Sequence, residues 1–173
     1  MRPGGEEMRA DSAVRVAAIV LAAGRATRMG EQKLLLPLAG RPVVRWVVDA
    51  ALGSRAAETL VVVGYEAERL GEVVAGGPLT VVVNGHYEQG LSTSLRAGVA
   101  AVEGRCDAAV FLLGDQPFVT SSVIDRLIAR FAETGTRIVR PLVAGQPGNP
   151  VLMSASLFAE IGVQRGDVGG RDI

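Results

Sequence analysis

One cysteine and one histidine occur in 173 residues. A single cysteine, Cys106, excludes an intrachain disulfide and any cysteine-based metal cluster. It reads as a small buried residue at a strand start. The lone His86 excludes a multi-histidine metal site. Aromatic residues make up 4% of the chain, and no apolar run approaches the length of a membrane span. Net charge is also missing: 18 basic residues balance 18 acidic ones. Neither a nucleic acid nor an anionic membrane is therefore implied as a partner. Residues 1–12 mix Pro, Gly and charge without an apolar core, which is not the pattern of a secretory signal. Residues 1–13 read as a disordered leader and the protein as cytoplasmic. The rest of the chain holds no internal repeat, linker or low-complexity tract.

What remains is rich in Ala, Val, Leu and Gly, with 49% of residues apolar. That is enough for one domain with a real core. Strand patterns at 14–21, 59–63, 79–83 and 108–113 alternate with helical spacing at 42–52, 66–74 and 91–102. Val123, Ile124, Leu127, Ile128 and Phe131 mark a further helix, with Thr120 or Ser121 as its cap. Residues 136–141 and 149–153 read as later strands paired as a hairpin around Gly145-Gln-Pro-Gly148, and 154–161 as a closing helix. The alternation predicts an α/β fold over residues 14–173. It is a single-domain three-layer αβα arrangement with a mostly parallel, Rossmann-like sheet and a β-hairpin insertion. Ligands of such sheets sit beyond the carboxyl ends of the strands, which gathers the loops at 22–33, 84–94 and 114–118.

The first loop runs Leu21-Ala-Ala-Gly-Arg-Ala-Thr-Arg-Met-Gly30, with Lys33 just after. Ala22, Ala23 and Gly24 lack bulk, so their backbone N–H groups can approach phosphate oxygens. Arg25, Arg28 and Lys33 add cations: a forked donor at Arg28 and a mobile point charge at Lys33. The G-K-[ST] ending of a Walker loop is missing, and so is the Rossmann dinucleotide fingerprint. The second loop places Asn84, Gly90, Ser92 and Ser94 before and within a helix start. The Asn84 amide is expected to read a base edge. Gly90 permits close approach, Ser92 or Gly90 is expected to open the helix, and Ser92 or Ser94 to cap it and face phosphate. His86 reads as an ordinary loop residue. In the third loop, Gly114-Asp-Gln-Pro117 follows a buried strand, and Asp115 is placed to hold Mg²⁺ against phosphate oxygens.

The pattern L-A-A-G-x-x-x-R-M-G-x-x-K resembles the signature loop of nucleotidyltransferases that activate sugars, alcohols and molybdopterin. Residues 33–37 (K-x-L-L-P), Gly114-Asp-Gln-Pro117 and the turn Gly166-Asp-Val-Gly-Gly-Arg171 narrow the resemblance to the molybdenum cofactor cytidylyltransferases of the MobA-like family. The resemblance implies transfer of CMP from CTP to the phosphate of molybdopterin, with release of pyrophosphate and with Mg²⁺ as cofactor. Ala23 favours CTP, because guanylyl-transferring relatives usually show L-A-G-G. The catalytic set implied is Arg28, Lys33 and Asp115, with Asp115 on the metal. Leu21 to Arg25, Met29 and Gly30 join the second loop in holding nucleotide. Gln116, Gly148, Asn149, Asp167 and Arg171 face the acceptor, and a molybdoenzyme or its maturation chaperone is the implied protein partner. Gly148-Asn-Pro150 stands where the family often has G-H-P. Relatives also continue past the last turn, so the domain is expected to be truncated or naturally short at its C terminus.

Three other readings stay open on the sequence alone. The acceptor is a sugar or polyol phosphate; the fold serves a NAD(P)H-dependent oxidoreductase; or the domain carries molybdopterin without catalysis. The absence of an acidic residue placed for ribose argues against the second.

Overall fold

The computed structural model describes residues 13–25 and 32–163. Strand β1 (Val16–Ala22) is buried along its whole length. Ala18, Val20 and Ala22 enter one apolar layer, while Ala17, Ile19 and Leu21 enter the other. Successive side chains of a strand point to opposite faces, and here both faces are covered. That is why the segment reads as an unbroken apolar run rather than an apolar–polar alternation.

A 3-10 turn (Lys33–Leu35) and two short strands, β2 (Pro37–Leu38) and β3 (Arg41–Pro42), lead into helix α1 (Val43–Leu52). Then come β4 (Glu58–Val63), α2 (Ala67–Val74), β5 (Leu79–Val83), a 3-10 turn (Tyr87–Gln89), α3 (Leu91–Val102), β6 (Ala108–Leu113) and α4 (Ser121–Thr134). The described chain ends with β7 (Ile138–Val139), β8 (Leu142–Val143), β9 (Gln146–Pro147), β10 (Val151–Ser154), a 3-10 turn (Ala155–Leu157) and α5 (Phe158–Val163).

The central sheet has the order β5-β4-β1-β6-β10-β7. The first four strands are parallel, and β10 runs antiparallel to both β6 and β7. Helices α1, α2 and α4 cover one face through Val44, Val47, Leu70, Ile124 and Phe131. Helices α3 and α5 cover the other through Leu95, Val99, Phe158 and Ile161. This is the expected three-layer α/β arrangement. From β1 the chain steps outward to β4 and β5, then crosses back through α3 to β6 on the other side of β1. The order therefore reverses at β1, and a crevice opens between β1 and β6 at their carboxyl ends.

The expected elements are present, with local shifts. Thr120, not Ser121, caps α4: its hydroxyl accepts from the Val123 N–H at 3.4 Å. Glu66 takes a left-handed φ of 52° and stands outside α2 as its N-cap. The hairpin insertion is built in two parts, with β7 paired to β10 at its base and β8 paired to β9 at its tip. Residues 1–12, assigned above to a leader, lie outside the described residues.

Cys106 sits just before β6, at the opposite end of the sheet from the crevice, and is buried. Its thiol donates to Glu58 Oε1 at 3.2 Å. Burial first, then the bond to Glu58 and its charge, push the thiol from its ordinary 9.0 up to about 11. The folded state thus holds this proton more tightly than the unfolded chain does. The resulting stability is fully present below pH 9.0 and is lost as the pH rises towards about 11. In urea melts across that window, the wild type is expected to weaken more steeply than Cys106→Ala. Equal slopes for the two proteins would rule this account out.

Candidate active site

The crevice is a cleft of about 660 Å³ whose walls come from the ends of β1 and β6, the loop between β5 and α3, and the 3-10 turn at Lys33. Leu21, Ala22, Ala23, Gly24 and Arg25 form its floor and one side. A Cβ built on Gly24 meets nothing within 4 Å, so the backbone there faces open space.

Lys33 is held by the 3-10 turn after the first loop. Leu34 is buried beneath the turn, and the Leu35 N–H donates to the Gln32 carbonyl at 2.9 Å. With Leu34 anchored inward, Lys33 reaches the cleft. Gln32 also lines it. The Gln32 amide donates to the carbonyls of Gly24 and Tyr65, each at 3.4 Å, tying the first loop to the end of β4.

Asp115 arrives from the far side of β1. Leu21 and Leu113 are in register across the β1–β6 pair. The Gly114 N–H then donates to the Leu21 carbonyl at 2.9 Å, and the Gln116 N–H closes the turn on the Leu113 carbonyl at 3.1 Å. Asp115 therefore projects just past the strand end. Its Oδ2 lies 3.3 Å from Lys33 Nζ, and the two side chains are 44% and 49% exposed. Such an exposed ion pair contributes about 0–1 kcal/mol. The two groups are close enough to meet a common ligand and weakly enough paired to part for it.

The second loop forms the opposite wall through Tyr87, Glu88, Gly90, Leu91 and Ser94. Gly64 lets it approach: a Cβ there would lie 2.7 Å from Tyr87 Cβ and 2.9 Å from the Ala23 carbonyl. The Tyr65 and Tyr87 rings meet at 6.3 Å, and the Arg25 guanidinium lies 5.3 Å from the Tyr65 ring centre. The Arg25 charge is thereby held at the cleft on an aromatic face.

Two sequence expectations for this wall need correction. Helix α3 is N-capped by Gly90 at φ 101°, with no side-chain cap. Ser92 and Ser94 lie inside the first turns and are buried, so neither caps the helix. Ser92 is not among the cleft-lining residues, and its hydroxyl has no partner among the described residues. Asn84 is buried too, and its amide is committed to its own loop. Its carbonyl accepts from the His86 N–H at 2.9 Å, and its nitrogen donates to the hydroxyls of Thr93 and Ser94. Both amide hydrogens are thus engaged within the protein, leaving none to donate to a base edge.

The acceptor-side residues that fall within the described chain flank the same end of the sheet. Val151 pairs with Phe111 in an antiparallel ladder, so Gly148 and Asn149 continue past the end where Asp115 emerges. The Gly148 N–H is bonded to the Pro141 carbonyl at 2.9 Å. Gln116, Gly148 and Asn149 stand outside the cleft lining. Arg28, Met29, Gly30, Asp167 and Arg171 lie outside the described residues. Gln32 and Glu88 line the cleft, and the Tyr65 ring holds Arg25 at it; sequence reasoning passed over all three. The rule that gathered three strand-end loops also applied to the end of β4, where Gly64-Tyr65 stands.

Among the described residues no group of three or more His, Cys, Asp or Glu is placed to hold a metal. Mg²⁺ is commonly held by one or two carboxylates together with substrate phosphates and water. Asp115, a hard oxygen donor opening onto a cleft with backbone and cations suited to phosphate, fits that use. No helix among the described residues is long and apolar enough to cross a membrane.

Comparison with known proteins agrees with this geometry. Residues 18–173 match the MobA-like NTP transferase domain family. The bifunctional protein GlmU of Pelobacter propionicus is 34% identical over 125 residues, which are 71% of this chain and 27% of that protein. The chain thus spans about a quarter of the length of that relative. The crystal structure of Rv0371c from Mycobacterium tuberculosis H37Rv superposes with a TM-score of 0.82 at 31% identity, covering 90% of this chain and 79% of that one. Its complex with manganese gives 0.77 at 29% identity, covering 89% and 78%. A nucleotidyl transferase from Methanothermobacter thermautotroptrophicus, Mth528, gives 0.73 at 30% identity, covering 89% and 78%. A strand-end cleft with an opposed lysine and aspartate, a family match over nearly the whole chain and these neighbours converge: the chain belongs to the MobA-like NTP transferase domain family, and its domain is that of a nucleotidyltransferase enzyme.

Proposed function

We propose that this chain transfers CMP from CTP to the terminal phosphate of a molybdopterin-type acceptor, with release of pyrophosphate. The carrying observation is the convergence of three sequence-distant loops on one cleft, with Lys33 Nζ 3.3 Å from Asp115 Oδ2 across it. The acceptor phosphate is already ionised near neutral pH, so no residue has to remove a proton from it. The work left to the protein is to align two phosphates in line and to neutralise the charge that accumulates. The backbone of residues 22–24 and the side chains of Arg25 and Lys33 supply donors and positive charge for the triphosphate, and Arg28 belongs to the same set. Asp115 would hold Mg²⁺, which supplies charge neutralisation on the phosphate oxygens when bound. That Rv0371c forms a complex with manganese supports the use of a divalent cation.

On the acceptor side, Gln116, Gly148 and Asn149 offer polar contacts. Phe118, three residues beyond Asp115, is 86% exposed. An exposed ring in the segment that follows Asp115 suits stacking against a planar heterocycle such as a pterin. Asp167 and Arg171 complete the proposed acceptor set. A molybdoenzyme or its maturation chaperone, in the cytoplasm, would receive the product.

Titration calorimetry of CTP, GTP and NADPH with Mg²⁺ tests the nucleotide half. CTP is expected to bind at least ten-fold more tightly than GTP, with no heat from NADPH. Binding of NADPH without CTP would replace the transferase reading with the oxidoreductase one. Radiolabelled CMP transfer to molybdopterin, against sugar and polyol phosphates as competitors, tests the acceptor.

A further inference from the structure

The hydrogen bonds around Asn84 decide where the Ser94 hydroxyl proton points. Asn84 and Ser94 are each 4% exposed. The Asn84 side-chain oxygen accepts from the His86 N–H at 2.9 Å. A backbone N–H can only donate, so the orientation of the amide is settled. The Asn84 nitrogen carries two hydrogens, and it has two partners: Thr93 Oγ1 at 2.8 Å and Ser94 Oγ at 3.0 Å. Thr93 Oγ1 also meets the carbonyls of Gly90 at 2.8 Å and His86 at 3.1 Å. A carbonyl can only accept, so the Thr93 proton goes there, and Thr93 receives from Asn84. Ser94 likewise receives from Asn84, and its own proton finds no acceptor among the described residues. Yet Ser94 lines the cleft.

Left to itself, a serine inside a helix tends to donate to the carbonyl four residues earlier. For Ser94 that residue is Gly90, whose carbonyl already accepts from Thr93. The bond from Asn84 ties up an Oγ lone pair and turns the O–H away from the loop.

We propose that Asn84 is a positioning residue that presents the Ser94 hydroxyl as a hydrogen-bond donor to an oxygen of the bound nucleotide. This rests on the nucleotide reading of the cleft and adds to it the polarity of one wall. It also explains the residue type. Aspartate has the same shape but no hydrogen to give, so after an Asn84→Asp change the Ser94 proton would turn inward to the new carboxylate. The cleft would then face a lone pair where it had faced a donor.

The test is nucleotide binding by calorimetry with Mn²⁺, using CTP, GTP, UTP and ATP, and then following whichever binds most tightly. In the wild-type background, Ser94→Ala is expected to weaken binding roughly ten-fold. In an Asn84→Asp background the same Ser94→Ala change is expected to cost nothing, because the donor is already lost. Comparing the Ser94→Ala factor in the two backgrounds removes any general effect of a new carboxylate on binding. If Asn84 merely holds its loop in shape, the factor stays ten-fold in both backgrounds and the proposal falls. If Ser94→Ala costs nothing in the wild type, this proposal falls and the nucleotide reading stands. If no nucleotide binds the wild type, both fall. Thermal melts check that the variants are folded. Where Asn84→Asp is not, Asn84→Ala serves. There the Ser94→Ala factor is expected to fall below ten-fold because nothing then fixes the hydroxyl's orientation, whereas an unchanged ten-fold factor overturns the proposal. Repeating the titrations with inorganic triphosphate locates the acceptor. A loss there as well identifies a phosphate oxygen; a loss with the nucleotide alone identifies an oxygen of the base or ribose.

Discussion

Asp115→Ala is expected to lower pyrophosphate release by about 10³-fold or more, while leaving the melting temperature nearly unchanged. The two halves of this expectation have different origins. Rate depends on neutralising charge on the reacting phosphates, and a bound divalent cation is worth several kcal/mol of transition-state stabilisation. Asp115 is the carboxylate that the β6 turn carries past the strand end to meet Lys33. On the proposed reading, removing it takes away the carboxylate that would hold the cation beside Lys33. Stability, by contrast, loses only an exposed ion pair, worth about 0–1 kcal/mol. The checks are a coupled pyrophosphate assay, a Mn²⁺ titration of the free protein and a thermal melt. Retained turnover with wild-type Mn²⁺ affinity would remove Asp115 from the metal. Asp115→Asn separates charge from shape: it keeps the volume and is expected to be almost as slow as alanine.

The contrast between Asp115 and Asn84 shows which parts of this site are legible in a sequence. Asp115 follows a six-residue apolar strand, Ala108–Leu113, and lies two residues before a proline. A polar residue directly beyond a buried parallel strand lies at the ligand end of the sheet by topology alone. The same logic placed Ala22, Ala23 and Gly24, and it applied equally to Tyr65 after β4. The strands and helices were legible for a related reason: buried parallel strands leave long apolar runs, and the helices leave periodic apolar stripes. Asn84 also follows a strand, but its role depends on which way its amide is turned. That is decided by Thr93 and Ser94, in the helix beyond the loop, and by the His86 N–H. No spacing rule carries such information, because an asparagine that reads a ligand and one that braces its own loop have the same sequence signature. The capping role of Ser92 and Ser94 failed on similar grounds. A serine at a helix start resembles a cap, but Gly90 takes that position with a backbone conformation that other residues rarely adopt.

Lys33→Ala should separate two roles that a simple loss of activity would confuse. Turnover is expected to fall by about 10²–10³-fold, the range for removing one preorganised donor from a developing anion. Binding of Mn²⁺ to the nucleotide-free protein is expected to move the other way and tighten. In the free protein Lys33 Nζ stands 3.3 Å from Asp115 Oδ2, so a cation approaching that carboxylate must displace the lysine or share the carboxylate with it. With nucleotide present the conflict disappears, because phosphate oxygens offer Lys33 a better partner than a half-exposed carboxylate and offer the metal further ligands. Nucleotide and metal should therefore bind cooperatively in the wild type, and each should raise the affinity for the other by the same factor. In Lys33→Ala that cooperativity should shrink, since one of its sources, release of the lysine, is gone. Lys33→Arg makes a useful control: it keeps the charge but replaces a compact ammonium by a planar fork. It is expected to retain the competition with Mn²⁺ while recovering only part of the rate. Should Lys33→Ala leave Mn²⁺ binding unchanged while turnover falls, Lys33 acts on phosphate alone and the ion pair with Asp115 is incidental. Should turnover also be unchanged, the charge that accumulates on the phosphates is met elsewhere, with Arg25 and Arg28 the next residues to replace.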